Sequence, residues 1–456
     1  MHRILPIYKL TLRSIFRERV ALSMLALLGL VLFLLPAGLE SDGTVQGTLR
    51  MQIRYSLGVS SFLLAAMTVW VSSASIAGDL SSKRLQMILT KPVHRAEIWW
   101  GKWLAVVSWV TCLALLCGGV TYLRIRSMIH ASDLDAEARE VVFTQQLTSR
   151  RAVDPHQEDL GEEAERLARE QIQSGSVPPG IPLELVVKEM ERFLRVSRNA
   201  ASAGEQVSWT FDLTPPLQEG QTVQLAYQYD GSSMGVGTVP GRWRIGLPDE
   251  APRLEFTRTE TPYGEKVIPF QIGKDLSGAH QLVISYENTS ESSSRVFFKT
   301  DQGVRLYFEG GTFLMNLFRG LLIISGLLAI LAAIGVSAGS CFSLPGACYV
   351  SAAVLLLQGF SGVVEEVLDK GIPPAEEQQS ALNRSFQVFQ FQVYKGVHLM
   401  IQPLQMEAPL SRVSRGVQIP PAELFRTLAL HFTPVILVIS GTGIFVFHRR
   451  ETGGAV

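Results

Sequence analysis

The sequence predicts a multi-pass membrane protein in which six apolar helices are interrupted by one large polar domain of mixed α and β structure. Hydrophobic residues make up 47% of the 456 residues and charged residues only 18%, whereas a soluble domain has about 25% charged residues. The apolar residues fall in long uncharged stretches, and most polar residues lie between the third and fourth of these stretches. Lys and Arg together number 41, as do Asp and Glu, so no overall basic charge indicates a nucleic-acid partner.

Six stretches have the roughly 20 apolar residues that a bilayer-spanning helix needs. The run Gly320–Val364 is long enough for two helices, and SCFSLPG at 340–346 predicts a tight turn at Pro345 between them. The first stretch is longer than the roughly 7–15 apolar residues of a signal peptide, so cleavage is not expected. The predicted spans are Val20–Leu39, Tyr55–Gly78 and Trp103–Leu123 within 20–123, two helices within 312–364, and Thr427–Phe447.

The distribution of Lys and Arg predicts which connections face the cytoplasm, because short cytoplasmic loops carry an excess of both. Segment 1–19 has five basic residues and one acid, and the connection 79–102 has five basic residues and two acids. The tail 448–456 contains Arg449 and Arg450. Six spans place all three segments on one side, which predicts that both termini lie in the cytoplasm; the membrane we expect is a bacterial inner membrane.

Two features predict contacts with the surface of the lipid bilayer. Segment 1–19 is predicted to form an amphipathic interfacial helix. Its apolar residues recur at helical spacing beside a basic stripe, the apolar set being Ile4, Tyr8, Leu12 and Ile15 and the basic set Lys9, Arg13 and Arg17. Arg319 lies near the start of the fourth span, from which its side chain is expected to reach the headgroups.

Residues 124–310 predict an extracytoplasmic α+β domain that is helical over 130–200 and a β-sandwich over 205–310. The domain has 28 acidic and 20 basic residues, a net charge of −8. Glu–Arg pairs at i,i+4 predict a helix over 161–173, and a second helix is predicted at Leu183–Arg198. From Val207 onward, about eight short alternating runs separated by turn residues are typical of an antiparallel β-sandwich.

The cysteines and a second outer segment add little to this organisation. All four cysteines lie in or beside apolar spans and lack metal-ligand spacing, so we predict packing roles, no disulfide and no bound metal. They are Cys112, Cys117, Cys341 and Cys348. The outer segment 365–426 contains the alternating run Phe386–Tyr394, which fits either a strand or a shallow membrane-dipping element.

The sequence lacks the short motifs that indicate common catalytic or nucleotide-binding sites. It contains no G-x-x-x-x-G-K-[ST] phosphate loop, no H-E-x-x-H, no G-x-S-x-G and no G-x-G-x-x-G. The eight histidines are dispersed, and none is paired at i,i+4. We therefore predict that the chain is not an enzyme and has no catalytic, cofactor-binding or metal-binding residues of its own.

The connection between the second and third spans is the most informative part of the sequence. Its first half has apolar positions at helical spacing, with Asp79 or Ser81 as the N-cap and an end before Pro92. A second short helix is predicted to begin near His94–Arg95 and to lead Lys102 into the third span. On physical grounds the segment is either a basic docking helix held under the membrane or an ordinary basic loop that sets orientation.

This segment resembles the coupling segment of ABC-2-type transporter permeases. It departs from the family pattern at Asp79, where Glu is commoner, and at Lys83–Arg84, where a small or Gly-containing pair is usual. The resemblance implies an ATPase-docking site formed by Asp79, Lys83, Arg84, Leu85, Ile88, Leu89, Lys91, Pro92, Val93, Arg95, Gly101 and Lys102. The C-terminal part is similar to permeases of gliding-motility and nitrous-oxide-maturation ABC exporters at Arg415, Gly416 and Ile419.

Membership of that family would imply a permease that pairs with a second permease protomer, identical or different. A separate cytoplasmic ABC ATPase subunit would bind ATP and dock under 79–102, which agrees with the missing phosphate loop. The alternative is a membrane-anchored extracytoplasmic binding or assembly protein whose β-sandwich binds a periplasmic partner. The transported substrate and its direction of travel remain open.

Overall fold

The structure is a computed structural model that divides into two compact units. It describes residues 3–34, 45–82, 93–131, 147–175, 177, 183–231, 238–260, 266–290, 295–299, 303–359, 392 and 407–449. Among these residues, a helical unit takes in those up to Ser149 and those from Gly311 onward. The second unit, Arg150–Gly310, contains nearly all of the β structure.

The helical unit consists of long apolar helices and a few short ones. The helices are α1 (Ile4–Ile15), α2 (Arg19–Leu34), α3 (Val45–Ser81), α4 (Arg95–Ala131), α7 (Phe313–Cys341), α8 (Leu344–Gly359), α9 (Glu407–Ser414), α10 (Pro421–Arg426) and α11 (Thr433–Arg449). A π-helical segment, Thr427–Phe432, joins α10 directly to α11. At the end of this segment, the hydroxyl of the next residue, Thr433, donates a 2.8 Å hydrogen bond to the carbonyl of Leu428, five residues earlier.

Four helices of the described residues are long and apolar enough to cross a membrane, so the chain is a membrane protein. These helices are Gly47–Ser81, Arg95–Ile129, Phe313–Cys341 and Pro421–Arg449. The predicted first and fifth spans correspond to shorter apolar helices, of which α2 has 16 residues, about 24 Å at 1.5 Å per residue. Residues 35–39 and 360–364 of the predicted spans lie outside the described residues. The number of six spans therefore remains a prediction.

Helix ends differ from the predicted ones at three places. Helix α4 is continuous from Arg95 to Ala131, so no separate short helix precedes the third span, and Arg124 lies in α4. Helix α7 ends at Cys341, and Pro345 lies in the first turn of α8 rather than in the turn itself. Proline is tolerated there because first-turn N–H groups have no partner within the helix.

Helix α7 is the central helix of the helical unit, and 20 of its 29 residues are buried. It packs against α3, α4, α8 and α11. Small residues let the α3 backbone approach closely, since a Cβ at Gly339 would lie 2.7 Å from the Ser73 carbonyl oxygen. Such close approach through small residues is typical of helix packing in membranes, where dispersion contacts replace the hydrophobic effect.

The second unit is built from eleven described strands and two helices. The strands are β1 (Thr148–Val153), β2 (Ala200–Ala201), β3 (Gln206–Asp212), β4 (Thr222–Tyr227), β5 (Tyr229–Gly231), β6 (Val239–Gly246), β7 (Leu254–Glu260), β8 (Lys266–Gln271), β9 (Gln281–Asn288), β10 (Val296–Phe298) and β11 (Val304–Thr312). They form sheets of order β1-β11-β4-β8, β3-β9-β6-β7 and β2-β10-β5. The helices, α5 (Gly161–Gln173) and α6 (Leu183–Arg198), confirm the two helical patterns of the sequence.

The two four-stranded sheets share one hydrophobic core, which is the layered arrangement of a β-sandwich. Phe211, Ile245 and Ile284 of one sheet and Leu225 and Leu306 of the other are fully buried in the same cluster. The alternating runs predicted from Val207 onward are confirmed as strands. Strand β1 was not predicted, because TSRRAV has charged residues where an apolar alternation is expected; the structure pairs it with β11.

We predict that Gly339→Ala destabilises the helical unit. The added methyl group would press on a backbone oxygen of α3, which cannot rotate away, and overpacking of this kind costs about 1–3 kcal/mol. The measurement is thermal unfolding of the purified full-length protein in detergent. Gly119→Ala in α4 is the matched control, since nothing lies within 4 Å of its new Cβ. Equal melting temperatures for the two variants would contradict the packing described here.

Candidate functional site

The candidate site comprises the two ends of the connection between α3 and α4. Of the predicted docking residues, Asp79 lies in the last turns of α3, while Val93, Arg95, Gly101 and Lys102 lie at the beginning of α4. The remaining predicted residues lie outside the described part of the chain, namely Lys83, Arg84, Leu85, Ile88, Leu89, Lys91 and Pro92. The geometry therefore shows how the segment is held at both ends.

A buried ion pair joins α3 to α4. The ammonium group of Lys102 lies 2.5 Å from Oδ2 of Asp79 and also donates to the carbonyl of Ser75. The Lys102 side chain is 3% exposed and that of Asp79 25% exposed. A charge removed from water requires a partner of opposite sign, so Asp79 is a determinant of how the two helices meet. Asp79 is not a helix N-cap, because it lies within α3, whose last residue is Ser81; the helix predicted to follow lies outside the described residues.

The beginning of α4 is fixed by a side-chain capping hydrogen bond. The backbone N–H of His94 donates a 2.9 Å hydrogen bond to Oε2 of Glu97, which is the glutamate half of a capping box. Val93 packs against the hydrophobic cluster that contains Ile98 and Trp99. The predicted start near His94–Arg95 is confirmed, and the H-x-x-E spacing is the sequence signal for this cap.

Arg95 joins the beginning of α4 to the C-terminal end of α11. Its guanidinium donates to the carbonyl of His448 at 2.9 Å and to that of Phe447. The guanidinium carbon also lies 5.5 Å from the centre of the Phe447 ring. A cation is favourable at this position, because unpaired carbonyls give a helix C-terminus a partial negative charge. No sequence motif indicated this partner.

Gly101 permits close packing between α4 and the N-terminal helix α1. A Cβ at this position would lie 2.9 Å from Cγ2 of Ile7 and 3.3 Å from the carbonyl oxygen of Ile4. Farther along the same contact, the hydroxyls of Tyr8 and Ser108 lie 3.0 Å apart. A larger residue at Gly101 would therefore displace α1.

Three tryptophans complete this region. The rings of Trp99, Trp100 and Trp103 contact one another with centroids 5.0–6.2 Å apart. The Trp103 indole N–H donates a 2.9 Å hydrogen bond to the Ala329 carbonyl of α7. Residues of α1, α3, α4, α7 and α11 thus meet in one place. We call the residues Asp79, Arg95, Gly101 and Lys102, with the contacts described above, the helix-end cluster.

The helix-end cluster holds the connection in place rather than exposing a surface to a partner. Gly101 and Lys102 are buried, and Asp79 and Arg95 are half-buried with their polar groups engaged inside the chain. Any direct contact with a docked protein would therefore fall to the residues between the two helix ends. Sequence reasoning missed the partners of the cluster, Ser75, Glu97 and the carbonyls of α11.

The C-terminal residues that resemble exporter permeases have a structural role of their own. Gly416, with φ of +67°, ends α9 in the left-handed conformation, and the N–H of Val417 bonds back to the Arg412 carbonyl. The following residues pair with α7, where Asn316 donates to the Val417 carbonyl at 2.7 Å and accepts from the Ile419 N–H at 2.8 Å.

Arg319 is also engaged within this part of the chain. Its guanidinium donates a 3.0 Å hydrogen bond to the carbonyl of Ile419. The expected headgroup anchor is therefore half-buried and bound to protein backbone. The reason is that the extended residues after Gly416 present carbonyls that no helix satisfies.

The second unit, Arg150–Gly310, which we call the β unit, contains an open cleft of about 630 Å³. Its lining includes Asp212 and Gln281 on strands β3 and β9, together with apolar loop residues such as Pro248. The Asp212 carboxylate accepts from the Gln281 amide at 2.9 Å and lies 3.0 Å from Nδ1 of His156. Within the described residues, no group of three or more His, Cys, Asp or Glu could hold a metal ion.

Comparison with known proteins adds no family assignment. No protein-family model matches the chain, and no curated protein matches it.

We predict that Lys102→Met destabilises the protein by about 1–3 kcal/mol, because the Asp79 carboxylate loses its partner in a poorly hydrated site. The double variant Asp79→Asn/Lys102→Met should recover much of this loss, since it removes both charges. The measurement is thermal unfolding of the full-length protein, with Lys9→Met, an exposed lysine of α1, as the control. A double variant no more stable than Lys102→Met would contradict the pairing.

Proposed function

We propose that this chain is the membrane-spanning permease subunit of an ABC transporter. A separate cytoplasmic ATPase would dock on segment 79–102, and its ATP hydrolysis would drive transport of a substrate. The observation that carries the proposal is the helix-end cluster, which anchors both ends of a basic segment to neighbouring apolar helices. The resemblance of that segment to ABC-2 coupling segments supports the same conclusion.

The proposed mechanism is a rigid-body movement of helices. A force on residues 83–92 reaches α3 through Asp79 and α4 through Lys102, and the ion pair keeps the two helices together. Arg95 passes the displacement to α11, and Trp103 passes it to α7 through its hydrogen bond. Packed helices move as units rather than deform, so a push at one end would tilt them and open a path at the interface with a second permease protomer.

The alternative proposal is a membrane-anchored binding or assembly protein that acts through its β unit. The cleft beside Asp212 favours it, because concave sites with a few convergent polar groups are typical of binding sites. On this proposal the apolar helices are a scaffold, and the basic segment only sets orientation.

We predict that the full-length chain, purified from its native membrane, brings with it an ATP-hydrolysing subunit. The triple variant Lys83→Ala/Arg84→Ala/Lys91→Ala should recover at least about tenfold less of that subunit, the change that a loss of ~1.4 kcal/mol produces. The readouts are quantitative mass spectrometry of the purified complex and its ATPase activity.

The matched control is Arg166→Ala/Lys188→Ala/Arg192→Ala, which removes the same charge from exposed positions of α5 and α6. It should retain the ATPase subunit. If the wild-type chain recovers no nucleotide-hydrolysing subunit, the permease proposal fails. His280 and Gln281 both line the cleft of the β unit. If only the variant His280→Ala/Gln281→Ala loses a bound partner, the binding or assembly protein is favoured.

A further inference from the structure

Helix α1 has one face buried in the helical unit and one face that is both basic and apolar. Ile7, Thr11 and Ile15, spaced four residues apart, are buried. The opposite face exposes large apolar side chains, Leu5 at 52% and Leu10 at 61%. Basic residues occupy the same exposed face and the turn that follows it, namely Lys9, Arg13 and Arg17.

Contacts with α4 fix which face of α1 is turned outward. The close approach of Ile7 to Gly101 and the Tyr8–Ser108 hydrogen bond hold the helix along α4. Farther along, the rings of Phe16 and Trp109 meet edge to face with centroids 6.5 Å apart. Because these contacts lie on one side, the helix cannot rotate its basic side chains inward without breaking them.

The positive charge of the exposed face is not neutralised by the part of the chain that the structure describes. Lys9, Arg13 and Arg17 form no ion pair with those residues. Glu18 is the single acid of segment 1–19, and its Oε1 accepts a 2.9 Å hydrogen bond from the indole N–H of Trp70. The carboxylate is held against α3 by this bond, and segment 1–19 keeps five basic residues against this one acid.

The position of α1 along the chain and its neighbours are those expected of a helix at a membrane boundary. It is followed within a few residues by the apolar helix α2, which begins at Arg19. Gly101, which α1 contacts, lies among Trp99, Trp100 and Trp103, and tryptophans are enriched where a bilayer meets water. A face with exposed Leu and several Lys or Arg at a membrane boundary is suited to phospholipids, because the leucines can enter the acyl region and the cations can contact the headgroups.

We propose that the exposed face of α1 binds anionic phospholipid headgroups selectively. Leu5 and Leu10 enter the acyl boundary, and the three cations Lys9, Arg13 and Arg17 contact headgroup phosphates. Charge complementarity and the outward-facing apolar residues carry this assignment. It depends only on the chain being a membrane protein and is independent of the proposed transport function.

The test uses the full-length protein in phosphatidylcholine vesicles that contain a small fraction of spin-labelled lipid. Electron paramagnetic resonance compares the motionally restricted fraction of labelled phosphatidylglycerol with that of labelled phosphatidylcholine. We expect the wild type to prefer the anionic lipid, and the preference to weaken as salt rises. In Lys9→Gln/Arg13→Gln/Arg17→Gln the preference should fall at least about threefold, with an unchanged melting temperature.

The control variant Arg166→Gln/Lys188→Gln/Arg192→Gln changes the net charge equally in the β unit and should keep the wild-type preference. A wild-type protein without any preference for phosphatidylglycerol overturns the proposal, and this arm needs no variant to fold. A triple variant of α1 that keeps the preference also overturns it. If that variant loses a copurifying protein instead, the face binds a protein partner and not lipid.

Discussion

The buried ion pair between Asp79 and Lys102 is the constraint on which the arrangement of the helical unit depends. A lysine ammonium that is 3% exposed is unfavourable without a partner. Its position along α4 therefore determines where the last turns of α3 must lie. Once these two helices are joined, Arg95 can reach the end of α11 and Gly101 can accept α1. Each of these contacts would be lost if α4 slid by one turn.

The two units achieve stability by different physical means. In the helical unit, small residues such as Gly339 bring helix backbones together, and dispersion contacts follow from that closeness. In the β unit, large aromatic residues fill the core, for example Trp243 between Tyr227 and Tyr286 with ring centroids 4.5 and 4.9 Å away. All four cysteines are free, so neither unit relies on a disulfide among them.

Periodicity in the sequence predicted the helices with one continuous apolar face and the strands whose residues alternate between buried and exposed. The helix at Leu183–Arg198 and the strand around Phe211 were predicted because their apolar residues follow one period throughout. The N-cap assigned to Asp79 was wrong, since an acid beside Ser81 looks like a cap until its tertiary partner is known. Arg319 was expected at the headgroups from its place near the start of the fourth span, and the sequence did not indicate its acceptor, the Ile419 carbonyl, 100 residues away.

The helix-end cluster likewise combines features that the sequence predicts with contacts that it does not. Its residues were singled out by resemblance, but their roles depend on long-range partners that spacing does not encode. Lys102 was predicted to belong to an ATPase-docking segment, and the structure adds that its ammonium group is buried against Asp79. The capping of α11 by Arg95 joins residues more than 350 positions apart. In contrast, the start of α4 near His94–Arg95 was predicted, and the His94–Glu97 hydrogen bond that caps it is local in sequence.

The π-helical segment Thr427–Phe432 sets the rotational phase of everything that follows it. Each residue of an α-helix rotates the chain by about 100° about the helix axis. The wider π-helical turn therefore changes the direction of every later side chain of α11 by an angle of about this size. Phe447 then falls inward, beneath the Arg95 guanidinium, while Phe445 and Val446 point away from the bundle. Tightening the wide turn into regular α-helix would leave the terminal carbonyls facing elsewhere. The contacts at the C-terminal end of α11 thus depend on the π-helical segment, which lies more than fifteen residues before that end.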